Sequence, residues 1–333
     1  IEKMSEENDK GKINNETFGI TCEKVVCDEY NLEKIKYNND TISFKDINMF
    51  EDKNRMDNDK NNKKRENIIG CIINNKIPTQ YFEYSNKWLK LKEEIDKFIK
   101  IFCKKNQINK VDDIECINKA GRRYNYDFQF VINNCQFKIE FKFNAESINQ
   151  TPQFVSPMKP SQYLEGSYEE YYYDNYFQTF ANKYNLTIPS KEDYLSNIHN
   201  TDPLGLKEYK KKYYKGCKNS SKFSGEENDI EFYNEAKKIS NESISNFISK
   251  YSLKTDKLSE YLINTQKNKY YMLYKNGNIY LETINLDNYI IVEVQKDPTK
   301  FRYLAKTKTG KILKILLRWK NGSGIAYPAF QIS

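Results

Sequence analysis

The sequence predicts a mixed α/β (α+β) protein that ends in a β-rich region, and three observations carry the prediction. Tyr124 to Asn144, YNYDFQFVINNCQFKIEFKFN, is two alternating runs about Asn133-Asn134, the pattern of strands with one apolar face. Ser85 to Lys104 repeats Trp88, Leu91, Ile95, Phe98 and Phe102 at three and four residues, the period of a helix with one buried stripe. Beyond Tyr270, short runs rich in aromatic and β-branched residues follow one another. Lys275-Asn276-Gly277 between the first two of them is a hairpin signal.

Taken in order, Met4 to Asn15 is charged and expected to fray. Thr17 to Tyr30, TFGITCEKVVCDEY, reads as a short amphipathic helix with Ile20, Val25 or Val26, and Tyr30 on one face and Glu23 near the other. Asn38 to Met49 is short and mixed. Glu51 to Asn67, EDKNRMDNDKNNKKREN, reads as a solvated loop or as a basic arm near a polyanion. Gly121-Arg122-Arg123 leads into the first strand of the hairpin. After it, SINQTPQFVSPMKPSQ has three prolines and breaks regular structure. Tyr168 to Tyr184 is a helix with Tyr173, Phe177, Phe180 and Tyr184 inward. Pro203 to Lys215, PLGLKEYKKKYYK, is a basic helix, and Asn219 to Glu227 a linker. Asp229 to Lys250 and Thr255 to Thr265 are helices. Strands are expected at Tyr270 to Tyr274, Asn278 to Ile284, Tyr289 to Gln295, Phe301 to Lys306 and Lys311 to Trp319. These elements group as a core over 1–200 and a helical and β-rich recognition region over 201–333, with a soft boundary.

Lys and Arg outnumber Asp and Glu by 54 to 46, a net charge of +8, which suits a polyanionic partner without demanding one. Aromatic residues make up 14% of the chain, which excludes a disordered polyelectrolyte. Seven scattered cysteines form no C-x-x-C pair and read as free thiols in a reducing compartment. No signal peptide and no apolar run near 18 residues is found, so a soluble, intracellular protein, cytoplasmic or nuclear, is expected. The single histidine, His199 in SNIHNTDP, argues against catalysis by His-metal sites or Ser-His-Asp triads and reads as a surface or capping residue. No G-x-x-x-x-G-K-[ST] loop occurs, so no nucleotide cofactor is expected.

With Asn133-Asn134 as a two-residue loop, Ile132 pairs with Cys135, Phe130 with Phe137, Phe128 with Ile139 and Tyr126 with Phe141. That is the apolar face. The polar face sets Gln129 against Lys138, Asn125 against Lys142 and Asp127 against Glu140. Facing carboxylates have Cβ atoms about 4.5–5.5 Å apart and repel. A divalent cation relieves that repulsion, and hard oxygen donors suit Mg²⁺. Lys142, two residues beyond Glu140, could orient a water or steady charge on a phosphate. A solvated charged face is the alternative.

Asp127 followed on the next strand by Glu140-Phe141-Lys142 resembles the signature of the PD-(D/E)XK nuclease superfamily, with Tyr126 where that family usually has Pro. The resemblance covers roughly Phe18 to Pro157. It implies a restriction-endonuclease-like central mixed sheet flanked by helices. It implies Mg²⁺ held by Asp127, Glu140 and the Phe141 carbonyl, with Lys142 positioning the attacking water and Glu23 completing the site from its helix. The substrate would be double-stranded DNA. Candidate DNA contacts are Arg122 and Arg123, Gln153 and Lys159, Lys210 and Lys211 of the basic helix, and Arg318 and Lys320 of the tail. The tail and the stretch GRRYNYD are also similar to restriction-type endonucleases of large DNA viruses, which implies a sequence-specific homodimer acting in an infected cell. The alternatives are a structure-selective nuclease such as a junction resolvase, or a non-catalytic DNA-binding protein on a nuclease fold.

Overall fold

The computed structural model describes residues 32–52, 55–119, 124–145, 148, 159–199, 217–219, 222–223, 227–319 and 328–333. The chain divides into two compact units, one of residues 1–151 with 268–284, the other of residues 152–267 with 285–333. Among the described residues it is a mixed α/β protein, and no helix is long and apolar enough to cross a membrane.

The first unit opens with a small ribbon. Strands β1 (Ile35–Tyr37) and β2 (Asp40–Ile42) pair antiparallel about Asn38-Asn39, both at positive φ. Asparagine tolerates that conformation better than most residues, which is why such pairs mark two-residue turns. A 3₁₀ segment (Phe44–Glu51) leads to helices α1 (Arg55–Ile73), α2 (Thr79–Tyr84) and α3 (Asn86–Lys105). Strands β3 (Ile114–Asn118), β4 (Phe128–Ile132) and β5 (Cys135–Phe143) then form three neighbours of a five-stranded sheet. The other two, β6 (Lys269–Lys275) and β7 (Asn278–Glu282), return from far along the chain. The order is β3-β4-β5-β6-β7, with β5 and β6 parallel and the other pairs antiparallel. The sheet is therefore mixed, as expected.

The hairpin is in the register read from the sequence: Ile132 faces Cys135, Phe130 faces Phe137 and Phe128 faces Ile139. Asn133 and Asn134 both take positive φ (48° and 65°). On the apolar face, Phe102 of α3 meets the rings of Phe130 at 5.9 Å and Phe137 at 5.1 Å. Ser85 caps α3 by accepting the Trp88 amide, and the buried Trp88 indole donates to the Phe44 carbonyl at 2.8 Å.

Two expectations fail here, each for a physical reason. Glu51 to Asn67 is not a solvated loop; most of it is the start of α1. The polar run continues into Ile68-Ile69-Gly70-Cys71-Ile72-Ile73, all buried, and this apolar end is what anchors the helix. Arg65, fully buried, fixes the middle. Its guanidinium donates to the Met49 carbonyl, to Asn62 and to Asp52, each at 2.9 Å, and lies 3.7 Å over the Phe143 ring. The second failure is the expected wet face of the hairpin. β4 does alternate, but Ile139 to Lys142 are all buried, because β5 is an inner strand with β6 beside it. Strand β3 had no clear sequence signal. The side chain of Asn74, just past α1, satisfies both the amide and the carbonyl of Cys116, at 2.7 and 2.8 Å, so an amide side chain does the work of a neighbouring strand.

In the second unit, α4 (Tyr168–Tyr172), a π-helical turn (Tyr173–Phe177) and α5 (Gln178–Lys183) span the predicted Tyr168 to Tyr184 helix, with Tyr173, Phe177 and Phe180 buried. Then come α6 (Lys191–Asn197), a short ribbon of Cys217–Asn219 with Lys222–Phe223, α7 (Glu227–Lys250) and α8 (Thr255–Gln266). Strands β8 (Ile291–Asp297), β9 (Arg302–Thr307), β10 (Ile312–Trp319) and β11 (Pro328–Ile332) form a separate antiparallel sheet in sequence order. The C-terminal β region thus splits: its first hairpin completes the sheet of the first unit and the rest makes its own. The helices expected at Thr17 to Tyr30 and Pro203 to Lys215 lie outside the described residues.

Candidate active site

Glu140 and Lys142 project from β5 on the face opposite Ile139 and Phe141, and both are almost wholly buried, 2% and 5% exposed. Asp127 sits just before β4. The ladder stops at Phe128, so Asp127 with Glu140, Tyr126 with Phe141 and Asn125 with Lys142 do not form cross-strand pairs. Asp127 is tied in differently. Its amide donates to the Ile139 carbonyl at 3.0 Å, and its Oδ2 accepts the Phe141 amide at 2.8 Å. The carboxylate is thereby held over the Glu140-Phe141-Lys142 stretch by a bond to its middle residue.

Glu140 is held between two ammonium groups. Lys142 Nζ donates to Oε1 at 2.6 Å, and Lys269 Nζ, from the first residue of β6, donates to Oε2. Lys269 also donates to the Asn125 carbonyl at 2.8 Å, joining the segment before β4 to the same cluster. Such charge-assisted bonds are about twice as strong as neutral ones, and a buried carboxylate needs them to remain ionised. Burial pulls Lys269 below the ordinary lysine range, opposed by the charge and hydrogen bond of Glu140.

A third carboxyl reaches the cluster from α1. Burial, then the charge of Asp127, push Glu66 up to about 7, while Lys63 at 3.0 Å opposes the shift. Asp127 is itself pushed up to about 6 by burial and then by the charge of Glu140, against the Phe141 amide, Lys142 and Lys269. Burial is thus the main cost of keeping Asp127 and Glu66 ionised, with a neighbouring carboxylate adding to it in each case.

Among the described residues, no three His, Cys, Asp or Glu side chains come close enough together to hold a metal ion. Asp127 and Glu140 offer oxygen donors only, which suits a hard cation that keeps several of its waters. A cation beside the Asp127 carboxylate would offset the cost of keeping it ionised in this buried setting, so the two carboxylates fit Mg²⁺ as oxygen donors.

Glu23, Arg122, Arg123, Gln153, Lys210, Lys211 and Lys320 lie outside the described residues. Lys159 is exposed and in a left-handed conformation (φ 60°) at the start of a 3₁₀ turn in the second unit. Arg318 is exposed on β10, paired in register with Ala329 of β11. Its neighbour Trp319 points inward, with its indole donating to the Tyr168 hydroxyl at 3.0 Å. His199 is not a surface residue: it is 11% exposed and bonds Glu169 Oε1 at 2.9 Å, while the other oxygen of Glu169 takes the Ser161 hydroxyl. The carboxylate stands between serine and imidazole, so His199 cannot act as base for Ser161 through this contact.

Sequence reasoning missed two residues, Glu66 and Lys269. Glu66 had a signal, an acid two residues before the run Ile68 to Ile73, had that run been read as a helix. Lys269 had none, since its place beside Glu140 comes from parallel pairing of strands 129 residues apart.

The raised carboxyls make a prediction for the metal-free chain. Asp127 ordinarily titrates at 3.8 and here at about 6, so the folded chain holds a proton that the unfolded chain has released. The stabilising contribution is full below about pH 4 and is lost as pH rises through about 6. Asp127→Asn is expected to flatten this decline and to melt higher than the unaltered chain at pH 7.5 with chelator present. Thermal melts at a series of pH values check it, and a lower melting temperature for the variant at pH 7.5 would contradict it. No family model matches the chain, and no curated protein or solved structure gives a significant match.

Proposed function

We propose that the chain is a Mg²⁺-dependent endonuclease that hydrolyses phosphodiester bonds of double-stranded DNA, in the manner of a sequence-specific restriction enzyme. The observation that carries this is the convergence of Asp127, Glu140 and Lys142, with the Phe141 amide donating to Asp127. It supports the resemblance of Asp127 and Glu140-Phe141-Lys142 to the PD-(D/E)XK signature. Glu66 on α1, whose carboxyl feels the charge of Asp127, is a helical acid that acts on this site through its charge and not as a third metal ligand.

When bound, Mg²⁺ supplies Lewis-acid polarisation of the phosphate and lowers the pKa of a coordinated water. Asp127 and Glu140 would hold it, with the Phe141 carbonyl as a further donor. Asp127 is less buried than Glu140 and Lys142, so it is the metal-ligand candidate nearer to approaching DNA. Lys142 orients the attacking water and balances the charge growing on the phosphate. The water oxygen bonds to phosphorus, one phosphorus–oxygen bond to a sugar breaks, and the departing oxygen takes up a proton. The Phe141 amide keeps Asp127 from rotating away. A homodimer, in which each copy cuts one strand, belongs to this proposal, as do backbone contacts from Arg122, Arg123, Lys210 and Lys211, further contacts from Gln153 and Lys159, and base reading by Arg318 and Lys320. An origin in a large DNA virus remains part of the same reading.

A second reading has its own observation. Glu140 is fully neutralised by Lys142 and Lys269 in a buried setting, as in a structural ion cluster of a non-catalytic DNA-binding protein. One experiment separates these. The chain is incubated with mixed plasmid and branched DNA, with Mg²⁺ or with chelator, and the ends are sequenced. Metal-dependent ends at one recurring duplex sequence are expected. Ends on branched DNA alone would indicate a junction-selective nuclease, and no ends at all would leave the structural cluster. Lys142→Met is expected to lower cleavage by about 10²–10³-fold while Lys269 still neutralises Glu140 and the chain stays folded. Undiminished cleavage by that variant would remove Lys142 from the chemistry.

A further inference from the structure

Lys269 lies outside the Asp and Glu-X-Lys pattern, and we propose that it is a fixed internal cation that sets how tightly Glu140 takes a divalent metal. The inference rests on the nuclease reading above. The Lys269 side chain is 1% exposed, so it meets no DNA phosphate from its place and acts only through its neighbours. Parallel pairing of β5 and β6 sets Lys138 beside Lys269 and Glu140 beside Tyr271. The ammonium bonds Glu140 Oε2 and the Asn125 carbonyl, and it lies 5.2 Å from the centre of the Tyr271 ring.

Asp127 and Glu140 bring two negative charges, and Lys142 and Lys269 bring two positive ones, so these four groups are formally neutral before any metal arrives. A divalent cation entering a neutral cluster gains much less than one entering a bare pair of carboxylates. One lysine must give way for the balance to be restored. Lys142 is free to turn toward water and phosphate once a metal takes its place on Glu140. Lys269 has the Asn125 carbonyl as a second anchor at 2.8 Å and stays. It holds Glu140 in one orientation and keeps a positive charge beside the metal, which weakens binding until the negative phosphate of DNA joins the site. Lys269 is a positioning residue, and its charge is the property that matters.

The test is calorimetric titration of Mn²⁺ into the metal-stripped full chain, without DNA, for the unaltered protein, Lys269→Gln and Lys269→Arg. Glutamine keeps a donor for Glu140 and Asn125 but removes the charge; arginine keeps the charge. Lys269→Gln is expected to bind Mn²⁺ about tenfold tighter or more, and Lys269→Arg to bind like the unaltered chain. A residue with only a structural role would not tighten metal binding when removed. Equal or weaker binding by Lys269→Gln overturns the proposal. Should Lys269→Gln not fold, Lys269→Met, which fills the path of the stem, replaces it. Failure of both neutral variants to fold would assign Lys269 to stability alone and overturn the proposal too. Mg²⁺-dependent cleavage by the unaltered chain, together with no tightening in the variant, removes the role of Lys269 but leaves the nuclease. Metal binding by none of the chains removes both.

Discussion

Glu140→Ala is expected to abolish cleavage and to cost about 3–5 kcal/mol of stability as well, the usual loss when one member of a buried ion pair is deleted. The hairpin pattern alone suggests a mild effect on folding, because it puts Glu140 on a wet face. The structure reverses that expectation. Glu140 is 2% exposed and is the shared partner of Lys142 and Lys269, so its removal leaves two buried ammonium groups facing Asp127 alone. Glu140→Gln keeps the shape and one acceptor and should cost less. The double variant Glu140→Ala with Lys269→Met should regain part of the stability, since one orphaned charge goes with it. Denaturant unfolding of the three chains checks the order. Stability of Glu140→Ala within about 1 kcal/mol of the unaltered chain would mean that the lysines find water, contrary to their burial.

Arg65→Ala is the second large effect, expected at about 3 kcal/mol. Arg65 joins α1 to the rest of the first unit through Met49 and Asp52, with a further bond to Asn62 on α1 itself, and its guanidinium covers the ring of Phe143, next to Lys142 in the chain. Alanine removes all of these contacts and leaves a cavity. The partner Asp52 is partly exposed and can rehydrate, which keeps the loss below that for Glu140. Because Glu66 is the next residue of α1, cleavage should fall more than the stability change alone explains. Activity measured well below the melting temperature of the variant separates the two effects. Arg65→Lys restores the charge but not the fork or the stacked plane, and should recover less than half of the loss.

The apolar half of the site was legible in the sequence, and the charged half only in part. Strict alternation, with two asparagines free to take positive φ, determined the turn, the register and the face on which Phe128, Phe130 and Ile139 lie. Alternation also separated Glu140 and Lys142 from Phe141. It could not show that the polar side of β5 is buried, because that depends on β6, a strand brought alongside by chain topology. The same gap hid Lys269. Glu66 was hidden by composition: a run of Asp, Asn, Lys and Arg looks like solvated loop until the six residues after it are read as the buried end of one helix. The strand β3 was hidden by size, being short and held at its edge by the side chain of Asn74 rather than by a further strand.

The return of β6 to the side of β5 also governs when the protein can begin to work. Lys269 and Glu140 are 129 residues apart, and most of the second unit's chain is made between them. During synthesis, the hairpin of β4 and β5 leaves the ribosome long before the strand that closes over it. Until then β5 is an unfinished sheet edge, with Glu140 and Lys142 open to water and the Asn125 segment without its lysine anchor. Closing so long a loop is slow relative to forming the hairpin, and an open edge of this kind invites pairing with another chain. A chain interrupted before residue 268 would therefore carry every residue of the Asp127, Glu140 and Lys142 signature and still lack an assembled site. On the proposed reading, this delay amounts to a safeguard in time: the cluster assembles only once the strand that begins at Lys269 has been made.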